Sequence, residues 1–429
     1  MRNFRVWAGL ATVFAAMSLV GCGGHGSSNA ASVRLVNASL SHASLNLLAN
    51  SAAVETGVLI NTVSAYAGVG TGSVALQIND STTNTVLTTT APTLASGGNY
   101  AVVAYESGGT LLTTVIQENT AVPAASTANL RIFNTATDAG AIDVYVTDPS
   151  VDLSTVSTPT FSFASSSTTQ ATGFLSLASG TTYRIRVTGS GNVADLRLDI
   201  PAVTLASQQN ATALLTPTTG GTLVNGSVLV EQGTYTATPN TSSRIRLVAA
   251  VTAGATVAAT AGATPISTTV TSPSVGAYTI VPSGATLNIT VNGASVGAPA
   301  AALAAGADAT LLVYGTAAAP AASLIADDNH LTTIVTNFKL RLINGITGAA
   351  TPLTLDANFA VIASNVMPGT ASAYSAVGSS VYTRLDVFSP SSPTAIYSES
   401  TLNVPGNAVY TLFMLGDAAA PIHLLQRDH

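Results

Sequence analysis

One pattern, a strand, a turn and a second strand, is written four times along this chain. It reads VRLVNASLSHASLNLL from Val33, LRIFNTATDAGAIDVYV from Leu130, IRLVAAVTAGATVAAT from Ile245 and LRLINGITGAATPLTL from Leu340. The arginines inside it, Arg34, Arg131, Arg246 and Arg341, are 97, 115 and 95 residues apart. A period of that size is a domain length, not a solenoid repeat. The copies also close alike, with LLTTVIQEN, GSVLVEQGT, ASLIADDNH and IHLLQRDH, short apolar strands ending on acidic residues. A chain of 429 residues built this way must place a separate core in each repeat.

Within a repeat, runs such as SVALQI, YRIRV, TLNITV and TRLDVF alternate at period two and then meet the turn-forming NDSTTN, TGSGN, NGASVG and SPSSP. That is hairpin punctuation. No mature segment of ten or more residues keeps a capped 3.6-residue period. The pattern predicts an all-β chain of four tandem antiparallel β-sandwich domains, over residues 32–119, 128–233, 242–330 and 337–429. Repeat 2 is longer because 55 residues separate Arg131 from Arg186, against 43 from Arg246 to Ile289. Its extra piece, TDPSVDLSTVSTPTFSFASSST, is rich in Ser, Thr and Pro, so a loop or a short added edge hairpin is expected.

The start of the chain has another role. MRNFRVWAGLATVFAAMSLVGCGG carries two arginines, then a mostly apolar run shorter than a membrane span, then Leu19-Val20-Gly21-Cys22. Residues 1–21 read as a secretory signal. The tetrapeptide resembles the bacterial lipobox, which implies that Cys22 becomes the lipidated N-terminus and that residues 22–31 are a flexible tether. Several acyl chains, at ~0.8 kcal/mol per buried CH₂, give a stable anchor. Glycines rather than aspartate follow Cys22, so the outer membrane is the expected address, with the domains periplasmic or surface-exposed. As the single cysteine, Cys22 leaves the mature chain without an intrachain disulfide or a CxxC metal site.

Only 7% of residues are charged while 47% are apolar, so hydroxyls and amides must supply most of the solvated surface. Net charge is −6, and it becomes more negative once Arg2 and Arg5 leave with the signal. This excludes a nucleic-acid partner.

Arg131, Asn134, Asp138, Ala139, Asp143, Val144 and Tyr145 stand at matching positions of a signature that opens Arg-Val-Val-His-Ala and ends Val-Asp-Val-Tyr. Repeat 2 thus resembles a bacterial secreted or lipoprotein domain family of unknown function, here in four divergent copies. Repeats 1, 3 and 4 keep the arginine but carry Asn46, Ala258 and Asp356 where repeat 2 has Asp143. The resemblance implies an immunoglobulin-like fold on the cell envelope with no assigned activity. The signature's histidine is Asn134 in this chain.

Candidate chemistry is sparse. Gly293-Ala294-Ser295-Val296-Gly297 fits G-x-S-x-G, but a nucleophile elbow needs a strand-to-helix turn, and ITVNGASVG reads as a hairpin. The mature histidines, His25, His42, His330, His423 and His429, show no zinc-type spacing. Asp327, Asp328 and His330 are the best candidates for a hard cation but lack a D-x-D-x-D-G loop; solvated carboxylates are the expectation. Arg184 and Arg186, with Asp195, Arg197 and Asp199 on the neighbouring strand, form the most charged patch and read as a self-neutralised sheet face. Tyr100, Tyr105, Tyr183, Tyr278, Tyr314, Tyr374 and Tyr410 read as core or corner tyrosines; a sugar-stacking platform would need rings exposed together.

The expectation is therefore a lipid-anchored, non-catalytic spacer, adhesion or binding module without cofactor or metal. It would touch the membrane through its N-terminal lipid and take an envelope protein or glycan as partner. The alternative is a secreted hydrolase or carbohydrate-active enzyme with a loop-borne site. Arg34 with Glu118, Arg131 with Glu231, Arg246 with Asp327 and Arg341 with Asp428 are expected to clasp the first and last strands of their own repeats, making four independent beads. The competing arrangement joins the acid ending one repeat to the arginine opening the next.

Overall fold

The computed structural model describes residues 30–107, 109–165, 168–348 and 351–429. Residues 1–29, where the secretory signal, Cys22 and most of the tether are expected, lie outside the described residues. The described residues are all-β, in eight sheets of four to six strands and one two-stranded sheet. Four separate apolar cores, within residues 31–111, 128–230, 245–313 and 338–414, tie the larger sheets into four sandwiches.

The same strand order recurs in each unit. In repeat 1 the opening strand Ala31–Ala38 lies between Asn99–Ser107 and two short strands, Thr62–Val63 and Ala67–Val69. The last strand, Thr110–Gln117, pairs outside Asn99–Ser107. The second sheet holds Ser44–Ala49 and Leu76–Asp80 at its centre.

Two features differ from the all-antiparallel expectation. The opening strand runs parallel to the penultimate strand in every repeat, from Ser32 opposite Asn99 in repeat 1 to Phe338 opposite Ala408 in repeat 4. First and last strands are therefore not neighbours; the penultimate strand separates them. In repeats 1, 3 and 4 the opening strand is buried on both faces, as in IRLVAAV of repeat 3, while in repeat 2 it alternates buried and half-buried residues. A strand apolar on both faces belongs in a sheet interior, where parallel pairing is at home.

Its second face is covered by the neighbouring repeat. Val36, Ala38, Ala101 and Val103 of repeat 1 pack on Leu214 and Leu229 of repeat 2. Val248, Ala250 and Leu312 of repeat 3 pack on Ile343, Phe413 and Leu415 of repeat 4. Four beads are thus replaced by two face-to-face pairs. The pairs abut where the turn after Asn210–Pro217 meets repeat 3: Gly220 N–H donates to Gly306 O at 2.9 Å and Asn329 N–H to Gly220 O at 2.9 Å. A Cβ at Gly220 would lie 2.4 Å from Asp308 N, so only glycine permits this approach.

The repeat 2 insertion does more than lengthen a loop. Its strand Phe161–Phe163 takes the edge place beside Ile142–Thr147 that Ala52–Leu59 has beside Ser44–Ala49 in repeat 1, while the added Asp152 caps the 3₁₀ turn Leu153–Thr155, whose Leu153 is buried. Tyr145 and Arg186, on the outward side of the second sheet, are consequently buried.

Candidate functional site: a buried charge exchange between repeats

The repeat arginines point out of their own sandwich, on the face shared with the neighbouring repeat. By strand register, Arg131, Arg246 and Arg341 each lie opposite a threonine of the penultimate strand, Thr212, Thr310 and Thr411, while Arg34 lies opposite Ala101. The Nε–H of each of the three donates to that threonine at 2.9, 2.9 and 3.0 Å. An aromatic ring lies against every guanidinium, drawn from the gap between the two short strands: Tyr66 at 4.9 Å, Phe174 at 4.8 Å, Tyr278 at 4.6 Å and Tyr374 at 4.6 Å.

Between repeats 3 and 4 the arginines, threonines and closing acids form one buried cluster, edged by the half-buried Tyr278 and Tyr374. Arg246 donates to Asp428 Oδ1 and Arg341 to Asp327 Oδ1. The threonine hydroxyls complete the circuit, Thr310 donating to Asp327 Oδ2 at 2.7 Å and Thr411 to Asp428 Oδ2 at 2.5 Å. Tyr278 O–H also donates to Asp327 Oδ2 at 2.5 Å. Two positive and two negative charges cancel, which is the condition for burying them. Burial alone would depress the Arg246 guanidinium, yet Tyr278, Asp428 and Asp327 hold it above its ordinary value. Burial pushes the Tyr278 hydroxyl well up, and the Asp327 carboxylate adds to this.

The expected own-repeat clasp forms in repeat 1, is loose in repeats 2 and 3, and is replaced in repeat 4. Arg34 does reach Glu118 within repeat 1, Nε to Oε2 at 2.9 Å. Arg131 and Glu231 approach only to 3.8 Å, and Glu231 Oε2 instead accepts from Thr120 N–H at 3.2 Å. Arg246 lies 3.8 Å from Asp327 but bonds Asp428, and the carboxylate on Arg341 is Asp327, not Asp428. Between repeats 3 and 4 the acids are exchanged because the sheets pack face to face, setting Asp428 opposite Arg246 and Asp327 opposite Arg341. Even Arg34 reaches across, to Gly233 O at 2.6 Å and Val230 O at 2.9 Å in repeat 2.

The remaining candidates are engaged elsewhere. Asp328 holds Lys339 at 2.5 Å and His330 Nδ1 at 2.6 Å, and among the described residues no group of three or more His, Cys, Asp or Glu is disposed around a metal position. Arg184 pairs with Asp199 at 2.6 Å and Arg197 with Asp195 at 2.7 Å; Arg186 bonds Thr147 at 2.7 Å, and burial, then Arg184, hold its guanidinium below its ordinary value. Gly293 and Ser295 stand in the hairpin joining Leu287–Val291 to Ala294–Val296. Asp143 ties its own hairpin, accepting from Gly191 N–H at 2.8 Å and Ser162 O–H at 2.6 Å. Tyr100 O–H accepts from Ala95 N–H at 2.8 Å, a corner contact.

These features define an array of β-sandwiches joined by buried polar faces. Residues 31–145 match a family model described as Domain of unknown function (DUF4397), a segment that runs from the opening strand of repeat 1 into the first hairpin of repeat 2. No curated protein matches the chain. Among solved structures, a Bacteroides uniformis protein of provisional cell-adhesion assignment is similar at 10% identity, covering 47% of this chain and 97% of its own, with a TM-score of 0.22. A multi-modular glycogen-degrading pneumococcal virulence factor, SpuA, is similar at 11% identity over 63% of this chain and 37% of its own, with a TM-score of 0.15. At those TM-scores neither likeness bears on function.

Proposed function

We propose that this protein is a lipid-anchored, non-catalytic scaffold of the cell envelope, four divergent copies of one domain locked in pairs to hold a binding surface away from the membrane. The observation that carries the reading is the exchange of Asp428 and Asp327 between Arg246 and Arg341. Such a joint resists hinge motion, because separating the repeats would leave buried charges unpaired. Asp327, Asp428 and Tyr278 are all hydrogen-bonded within this joint, which favours a structural role for them over hydrolysis. Anchoring rests on the lipobox around Cys22, and the outer membrane on the glycines that follow it.

The test is metabolic labelling with a fatty-acid probe. The native chain is expected to be labelled and to fractionate with membranes, and Cys22→Ser to lose both properties. Continued labelling of Cys22→Ser would end the anchored reading.

A further inference from the structure

The second sheet of repeat 4 carries a surface that repeats 1 and 3 lack. Its first hairpin turns through Asn358 and Phe359, both left-handed, with φ of 50° and 67°. Such a turn favours Asn-Gly, and a bulky residue at positive φ is an outlier. The corresponding second turn residue is Ser51 in repeat 1 and Ala263 in repeat 3, by the pairings Ala49 with Ala52, Ala261 with Thr264 and Ala357 with Ala360. Phe359 gains no burial from its strained position, being 79% exposed. Strain of this kind persists at sites with a task.

The neighbouring strand, Ser380–Phe388, continues the surface. Thr383 and Leu385 point inward and are fully buried, so Tyr382 and Arg384 share the outward face, about 7 Å apart along the strand. Tyr382 is 73% exposed; its counterparts by register are Ser73 and Gly284. Arg384 lies over the Phe359 ring at 5.0 Å and is held in plane by Asp386, at 2.6 and 2.9 Å, and Ser398, at 3.1 Å. Two open rings thus flank a planar, internally neutralised set of donors and acceptors.

We infer that this surface binds a neutral oligosaccharide. A pyranose ring offers an apolar C–H face to Phe359 and Tyr382 and hydroxyls at its rim to Arg384 and Ser398, which the buried Asp386 holds in place, matching both halves of the surface. Charge supports the same ligand: Arg384 is already paired with Asp386, so the surface holds no free cation for an anionic lipid or nucleic acid. This inference deepens the binding role proposed above and rests on it.

Isothermal titration of the purified full chain with cellohexaose, maltohexaose and chitohexaose tests it. At least one sugar is expected to bind, at least tenfold more weakly to Tyr382→Ser and to Phe359→Gly. Phe359→Gly also relieves the turn, so its Tm should hold or rise while binding falls, separating lost recognition from lost folding. Binding by none of the sugars, or unchanged binding in both variants, would overturn the inference and leave the scaffold reading standing. Sedimentation of the Cys22→Ser full chain with phosphatidylethanolamine–phosphatidylglycerol vesicles in a Phe359-dependent manner would also overturn it, in favour of a lipid surface. Release of reducing ends from a bound sugar would instead overturn the non-catalytic reading and retain the site.

Discussion

Arg246, in the opening strand of repeat 3, is hydrogen-bonded to Asp428, 182 residues later and beyond the last strand of repeat 4. Both side chains are fully enclosed. Repeat 3 thus depends on an acid it does not encode. Asp428→Asn should destabilise the full chain by about 3–5 kcal/mol in urea denaturation, the scale for removing one partner of a buried pair. Hydrogen exchange should show lost protection in the repeat 3 strand Ser242–Val251 as well as in repeat 4. Loss confined to repeat 4 would contradict the exchange.

Gly345 sets how closely the two sheets approach. A Cβ there would stand 2.7 Å from Ala250 Cβ and 2.8 Å from Leu415 Cδ2. Gly345→Val should overpack the joint and cost about 1–3 kcal/mol, with a larger radius of gyration in small-angle scattering. An unchanged midpoint and radius would show that the joint is looser than described.

Thr310 serves two partners at once, accepting from Arg246 and donating to Asp327. Thr310→Val keeps the shape but leaves a buried N–H without its acceptor, at a cost of about 1–3 kcal/mol. Thermal unfolding should register it. Thr316→Val, on an exposed position of the same strand, is the control and should change little.

Acid response should centre on the contact between the two pairs. Burial pushes the Asp308 carboxyl up to about 6, against the pull of Arg244 at 3.1 Å. Its contribution is present at low pH and is lost as pH rises through about 6. Burial pushes His429 down to about 4, with Arg197, Arg244 and Arg427 adding to the effect and the bond from Nδ1 to Asn329 O opposing it. That contribution is present above about 6.5 and is lost as pH falls toward about 4. The two slopes oppose one another over the interval they share. Urea midpoints measured across it should show Asp308→Asn losing stability relative to the native chain as pH falls. His429→Gln should gain relative stability over the same fall. Parallel profiles for all three proteins would refute the assignment.

Much of this architecture is written in local patterns. Alternation in SVALQI and TLNITV, and turn residues such as Asn292-Gly293, report strand and hairpin directly, because side-chain period and positive φ are local properties. The arginines and closing acids were legible as a set for the same reason. Their pairing was not, since it depends on which face of Ser242–Val251 a second repeat covers. A signal for that was present: IRLVAAV is apolar on both faces apart from Arg246, whereas an exposed sheet alternates. Nothing local marks Thr212, Thr310 and Thr411 as partners of the arginines, although each occupies the third position of NAT, DAT or VYT in a penultimate strand. Tyr278 and Tyr374 read as core tyrosines, and only the gap between two short strands shows why each ring meets a guanidinium. Phe359 and Tyr382 were invisible as a surface because exposure is not encoded in single residues.

The placement of the opening strand beside the penultimate one has a consequence for how the molecule is made. A nascent chain delivers Arg246 long before Thr310, and Thr310 long before Asp428. Each first sheet must hold its central strand unpaired on one side while nearly the whole repeat emerges, the non-local order that slows β-rich folding. Repeats 3 and 4 then mature together rather than in sequence, and a chain stalled short of residue 428 would display an unsatisfied guanidinium that distinguishes it from the finished protein.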